Sequence, residues 1–158
     1  HCFNSFRFGY PQYNLELDVE HYTTVIDELL QETNLDLKIN ETQTVTYHDP
    51  CFLGRWNKVY DAPRRIIESI EGVTLTEMNR SHEKSFCCGG GGGHMFFEVK
   101  EGDRISKLRM DETQETGTET LLVACPYCST MLGTEASEKT KVMDIAELLE
   151  AAMNKSES

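Results

Sequence analysis

Three absences narrow this 158-residue chain before any motif is read. It has no apolar run near the ~18 residues that a membrane helix needs. Its opening, HCFNSFRFGYPQ, lacks the basic-then-apolar layout of a secretory leader. Basic charge is scarce: 15 Lys and Arg stand against 27 Asp and Glu, a formal net charge of −12. No basic stripe interrupts that acidic surface, which repels phosphate backbones, so nucleic-acid binding is not expected. Solubility is the simplest use of the charge, and attraction to a basic patch on a protein partner is a second. The first residue is histidine rather than methionine, which predicts a chain cut from a longer protein.

Apolar residues make up 39% of the chain, enough to bury a core. Strand and helix patterns alternate along it. LELDVEHY (15–22) reads as a strand and TTVIDELLQE (23–32) as an amphipathic helix opened by a threonine cap. NLDLKINETQ (34–43) reads as a polar connection and TVTYHD (44–49) as a strand ended by Pro50. NKVYDAPRRIIESI (57–70) has helical period, with Val59, Ile66, Ile67 and Ile70 facing inward and Pro63 marking a start or kink. VTLTEM (73–78) is the next strand. MFFEVKEGDRISKLRMDETQETG (95–117) reads as one long helix stopped by Gly117. TLLVA (120–124) is apolar throughout, as a strand covered on both faces would be. A short helix after Pro126, a strand KVMDI (141–145) and a helix AELLEAAMNK (146–155) complete the pattern. The expected fold is α/β, a layered parallel sheet with flanking helices.

Six cysteines stand at 2, 51, 87, 88, 125 and 128. A chain this long, with this patterning, does not need disulfide staples, and the cysteines are bunched rather than spread. Cys51 follows TVTYHD, Cys87 and Cys88 follow the VTLTEM region, and Cys125 follows TLLVA. Open parallel sheets form their sites at the carboxyl ends of strands. Five cysteines far apart in sequence therefore converge on one sheet edge. Cys125-Pro-Tyr-Cys128 alone is open between zinc, iron–sulfur and thiol–disulfide chemistry, since two thiolates three apart at a helix start can grip one metal.

The stretch SFCCGGGGGHMFF (85–97) sets two cysteines against five glycines. Excess thiolate charge needs compensating donors, yet no Lys or Arg lies between Phe86 and Val99. Gly89, Gly90 and Gly91, with the two glycines after them, can instead aim backbone N–H groups at sulfur. His94 could donate a hydrogen bond or a proton beside the sulfurs, and His48 could fix the loop that carries Cys51. Arg55 and Trp56 could contact substrate or partner, although surface packing would also place them there. Glu112 and Glu115 read as a solvated helical face without chemistry.

The order C-x35-CCG-x35-CxxC is far more specific than its parts. Together with YHDPCFLGR (47–55), YDAPRRII (60–67), SFCCGGGGG (85–93), ACPYCSTML (124–132) and VMDIAELL (142–149), it resembles the CCG-type cysteine-rich domain of heterodisulfide reductases and related iron–sulfur oxidoreductases, among them the glycolate oxidase iron–sulfur subunit. HCFNSF resembles the end of a preceding repeat, and CFNSF…VEHYTTVIDELL faintly echoes CSTML…VMDIAELLEAAM. The expected domains are therefore residues 1–36, the tail of a truncated first repeat that leaves Cys2 without its usual partners, and residues 42–154, a second CCG domain.

The resemblance implies a [4Fe-4S] centre of noncubane type on Cys51, Cys87, Cys88, Cys125 and Cys128, with Gly89, Gly90, Gly91, His94 and His48 around it. Zinc on four of the thiolates is the alternative cofactor, in a structural or interaction domain. The implied role is an electron-transfer module of a heterodisulfide reductase-like oxidoreductase, inactive in isolation. It would work between a flavin or iron–sulfur partner and a disulfide or quinone acceptor. Its partners would be a flavoprotein and a ferredoxin-like domain. Its expected location is the cytoplasm, or the membrane through parts of the protein outside this chain.

Overall fold

A computed structural model describes residues 1–33, 35–100 and 104–153. Four strands form one sheet: β1 Lys38–Tyr47, β2 Glu71–Leu75, β3 Thr120–Val123 and β4 Lys141–Asp144. They are all parallel, in the order β2-β1-β3-β4. Among the described residues, five α-helices of two turns or more flank them: α1 Tyr22–Glu32, α2 Asp61–Glu68, α3 Ile105–Glu115, α4 Pro126–Gly133 and α5 Ile145–Met153. The expected layered α/β architecture holds.

β3 shows why the sheet is buried on both sides. Leu122 points into one core with Val45, Tyr47, Ile66, Ile67, Ile70, Ile145 and Leu148. Its neighbours Leu121 and Val123 point into the other, with Met78, Met110 and Leu132. That is the period-two alternation of a strand between two helical layers. Each of these fully buried aliphatic side chains contributes about 1.5–3 kcal/mol of burial free energy. The first layer is clasped by Arg65, whose Nε donates to both Asp27 carboxylate oxygens at 3.0 Å and so ties α2 to α1.

Several expected elements differ. Residues 15–20 form no strand: Leu15 and Leu17 are exposed, and among the described residues the alternation there has no neighbouring strand to pair with. The cap of α1 is His21 rather than Thr23, its Nδ1 accepting from the Thr23 backbone N–H at 3.3 Å. The polar stretch 38–43 is the outer half of β1, mostly exposed but paired with β2. The expected helix over 95–117 begins only at Ile105. Gly91–Phe96 is instead a tight helical turn interrupted at Gly92 and Gly93, and Phe97 is extended. Residues 101–103 of that expectation lie outside the described residues, as do 154 and 155 of the last helix. Gly117, at φ +73°, does stop α3.

The strand order fixes where a site can form. From β1 the chain runs out to β2, then crosses back over β1 to β3 on its other side. The loops after β1 and β3 therefore diverge and leave a crevice at the carboxyl ends.

Candidate metal centre

The first loop follows β1. His48 extends the ladder by one backbone hydrogen bond to the Leu122 carbonyl (2.9 Å), and the Pro50 carbonyl then accepts from Leu53 and Gly54 to close a tight turn around Cys51. Gly54 is needed there, because a Cβ would sit 2.5 Å from Tyr60 Cε1. The turn is held by Asp49, which is 3% exposed and paired in bidentate fashion with Arg64 (2.8 and 3.0 Å). Asp49 also accepts from the His82 backbone N–H at 2.7 Å, which keeps that residue at φ +54° in the loop after β2.

That second loop is stitched to the first through Ser85. Its hydroxyl donates to the Asp49 carbonyl (3.1 Å), and its own carbonyl accepts from Arg55 Nη2 (2.7 Å). Cys87 and Cys88 follow immediately. Gly89, at φ +93°, turns its N–H back to the Cys87 sulfur at 3.3 Å. The third loop begins at the end of β3, where Cys125 caps α4 and Pro126 occupies its first turn.

The three loops enclose one cavity of about 480 Å³ lined by all five of these cysteines together with Gly90–Gly93. Arg55, Trp56, Phe52, Phe96 and Tyr127 line the same cavity. Trp56 is 65% exposed and Phe96 78% exposed.

The thiols share protons unevenly. S–H donation from Cys128, then from Cys87, holds the Cys88 thiol far below its usual range, with help from His48 and the Gly90 N–H. Cys125 is brought down to about 6, chiefly by Cys128 and also by the N–H groups of the α4 first turn. Cys87 is raised because its proton is held by Cys88, Cys128 because its proton is shared with Cys125 and Cys88, and Cys51 mainly by burial. Cys88 and Cys125 are thus the two thiols biased toward the thiolate, and the other three are biased toward keeping their protons. A metal ion or metal cluster would displace the remaining protons.

Of the other residues singled out from sequence, His48 is buried beside Cys88: a ring nitrogen of His48 and the sulfurs of Cys88 and Cys128 lie within 4.8 Å of one another. Burial lowers its pKa. Gly90 and Gly91 line the cavity. Gly89 and exposed His94 instead line a neighbouring cavity of about 280 Å³, with Arg104 and Glu135. Cys2 is exposed and lines a different cavity from the five, beside Phe6 and His21. Arg55 and Trp56 face the cysteine cavity.

Sequence reasoning missed two arginines. Arg64 sits in the RRII run, and only its register on α2 turns it inward. Arg109 is fully buried, with Nε 3.0 Å from His48 Nδ1 and Nη1 2.7 Å from Glu112. Glu112 is accordingly not part of a solvated face: its side chain is 11% exposed and pairs with both Arg109 and Arg80. Glu115 is exposed.

A parallel α/β sheet with five cysteine sulfurs gathered at its switch point defines a cysteine-rich domain built for metal or redox chemistry. Residues 45–133 match the family described as the CCG cysteine-rich domain, and the chain belongs to that family. It is 42% identical over 154 residues to the probable iron-sulfur-binding oxidoreductase FadF of Bacillus subtilis, covering 94% of this chain and 22% of that protein. It is 38% identical over 165 residues to the EtfAB:quinone oxidoreductase of Syntrophomonas wolfei, covering 97% and 23%. To one component of the dihydromethanophenazine:CoB–CoM heterodisulfide reductase of Methanosarcina barkeri it is 34% identical over 163 residues, covering 99% and 40%. The chain therefore spans between about a fifth and two fifths of these relatives.

Proposed function

We propose that this chain is an iron–sulfur electron-transfer module of a heterodisulfide reductase-like oxidoreductase. The observation that carries the reading is the donor set: five cysteine sulfurs line one cavity, one more than zinc takes. All-thiolate surroundings suit an iron–sulfur group, and the cavity has room for several metal and sulfide atoms. A five-cysteine set favours a noncubane four-iron centre. When bound, the group supplies one-electron transfer.

The chain's own residues would tune and gate that transfer. Backbone N–H groups of Gly89 and Gly90 meet the Cys87 and Cys88 sulfurs and offset charge without a cation. Hydrogen bonds of this kind raise a reduction potential. Phe52, Trp56, Phe96 and Tyr127 shed water from the cavity, and Arg55 is the lysine- or arginine-type cation that lines it among the described residues. Arg55 would orient an anionic or electron-rich acceptor.

Relatives named for a quinone and for a disulfide substrate support those two acceptor classes, with a flavoprotein or a ferredoxin-like domain as donor. We further read residues 1–36 as the tail of a preceding repeat and 42–154 as the second. Among the described residues no helix is long and apolar enough to cross a membrane. One relative, from Chromohalobacter salexigens, is called a probable membrane-anchored ferredoxin. Membrane attachment would then come from parts of the protein outside this chain, and an otherwise cytoplasmic setting suits free thiols.

Zinc on four of the thiolates is the second reading, favoured by the closeness of the Cys88 and Cys128 sulfurs. Iron, sulfide and zinc analysis with a visible spectrum, on protein purified without oxygen, separates the two. About four irons per chain and absorption that bleaches on reduction are expected. One zinc in a colourless solution overturns the electron-transfer reading.

A further inference from the structure

His48 is 1% exposed, with Arg109 against its ring and the Cys88 and Cys128 sulfurs close by. On one edge, Nδ1 lies 3.0 Å from Arg109 Nε. An arginine Nε always carries its hydrogen and has no lone pair to offer, so it can only donate. Nδ1 must therefore be the bare, accepting nitrogen. A neutral imidazole holds one ring proton, which places it on Nε2. On the sulfur side, a ring nitrogen of His48 lies within 4.8 Å of the Cys88 and Cys128 sulfurs. Nδ1 is taken by Arg109, so Nε2–H is left to donate to Cys88.

Ligation reverses that requirement. A histidine that binds metal offers a lone pair from one nitrogen and keeps its proton on the other, where an acceptor normally waits. Ligation through Nε2 would set an Nδ1–H against the Arg109 Nε–H, two donors face to face. Arg109 cannot easily yield. It is 0% exposed, its Nη1 donates to the Arg80 carbonyl at 2.9 Å and to Glu112 at 2.7 Å, and Arg80 is itself paired with Glu112.

We infer that Arg109 locks His48 as a hydrogen-bond donor to the Cys88 sulfur and bars it from the metal, so that the coordination shell is sulfur alone. Arg109 and His48 are positioning residues: they act on the electronics of a ligating sulfur without joining the shell. The inference rests on the reading that these thiolates hold metal, but it concerns the shell rather than the identity of the metal.

The test uses the full-length protein, purified without oxygen and labelled with ¹⁵N-histidine. Pulsed EPR of the reduced native protein is expected to show only the weak nitrogen coupling of a hydrogen-bonded imidazole. A strong, directly bonded coupling that is lost in His48→Phe overturns the inference. His48→Phe is expected to keep full iron and sulfide content and to shift the midpoint potential negative. Loss of a hydrogen bond to a charged sulfur should change the reduction equilibrium about tenfold, ~59 mV for one electron. Arg109→Met should move the potential the same way and Arg109→Lys, which keeps a donor, should restore much of it. An unchanged potential in folded His48→Phe, or iron lost from it, overturns the inference. Should either variant fail to fold, the labelled native protein decides. If the protein carries zinc instead, the electron-transfer reading falls while this inference stands or falls separately. Zinc-edge X-ray absorption would then show a sulfur-only shell, or imidazole scattering that overturns it.

Discussion

Arg64→Met should destabilise the chain more than any other single substitution of a charged residue near the site. Arg64 is 7% exposed and grips two carboxylates at once: Asp49 through Nη1 and Nη2, and Glu77 through Nε and Nη2. It also donates to the Tyr60 carbonyl at 2.8 Å and stacks over the Tyr47 ring. The two carboxylates differ in what they can do once it is gone. Glu77 has a side chain 34% exposed and can rehydrate, whereas that of Asp49 is 2% exposed and cannot. Breaking a buried pair by removing one partner costs about 3–5 kcal/mol, because the other charge stays buried. Glu77→Gln should cost under about 1 kcal/mol, as partly exposed pairs do. Urea unfolding of the 158-residue chain followed by circular dichroism gives both values. Because Asp49 leads into Cys51 and its carbonyl holds Ser85, Arg64→Met should also lower metal content. A loss below about 1 kcal/mol for Arg64→Met, or equal losses for the two variants, would refute the assignment of Asp49 as the buried charge that matters.

Gly89→Ala should cost about 1–3 kcal/mol, because it forces a side chain to φ +93° with its Cβ 3.0 Å from the Ser106 backbone nitrogen. Gly91→Ala, whose Cβ meets only the Cys87 sulfur at 3.5 Å, should be near neutral in the same urea unfolding assay. Cys125→Ala should abolish metal loading by elemental analysis while Cys2→Ala leaves it unchanged, since Cys2 lines a different cavity. Burial lowers the pKa of His21 from 6.5 to about 4, so between those values the unfolded chain binds more protons than the folded one. The stability that the neutral ring contributes is therefore complete above about pH 6.5 and lost as pH falls toward 4. His21→Asn keeps a capping acceptor for the Thr23 N–H without the titration, and should flatten that part of the stability–pH profile.

The sheet and the sulfurs were legible in the sequence because each rests on a local signal. TLLVA can only be a strand buried on both faces, and a cysteine placed just after a parallel strand is delivered to the carboxyl edge whatever the helices do. The misreadings fall where local pattern lacks a partner. Residues 15–20 alternate like a strand, but among the described residues no strand runs beside them. Residues 38–43 are polar because the outer half of β1 is mostly exposed, so their pairing with β2 leaves no apolar trace. Phe96 and Phe97 suggest a helix face, yet both are exposed beside the turn that Gly92 and Gly93 impose.

The controls on the sulfurs are harder to read than the sulfurs themselves. His48 and Arg109 are 61 residues apart and meet where the loop after β1 reaches Arg109 of α3. Arginine is among the residues least often fully buried, so a helical pattern alone assigns Arg109 to solvent. The one hint is its spacing of three from Glu112, and that spacing serves exposed helix faces equally well. What distinguishes the two cases is a demand created elsewhere: a buried imidazole whose far nitrogen faces a thiolate must keep its near nitrogen bare, and a cation that cannot accept a proton is the residue suited to enforce that. The direction of a single hydrogen bond thus follows from residues on three separate elements, and sequence order alone does not bring those elements together.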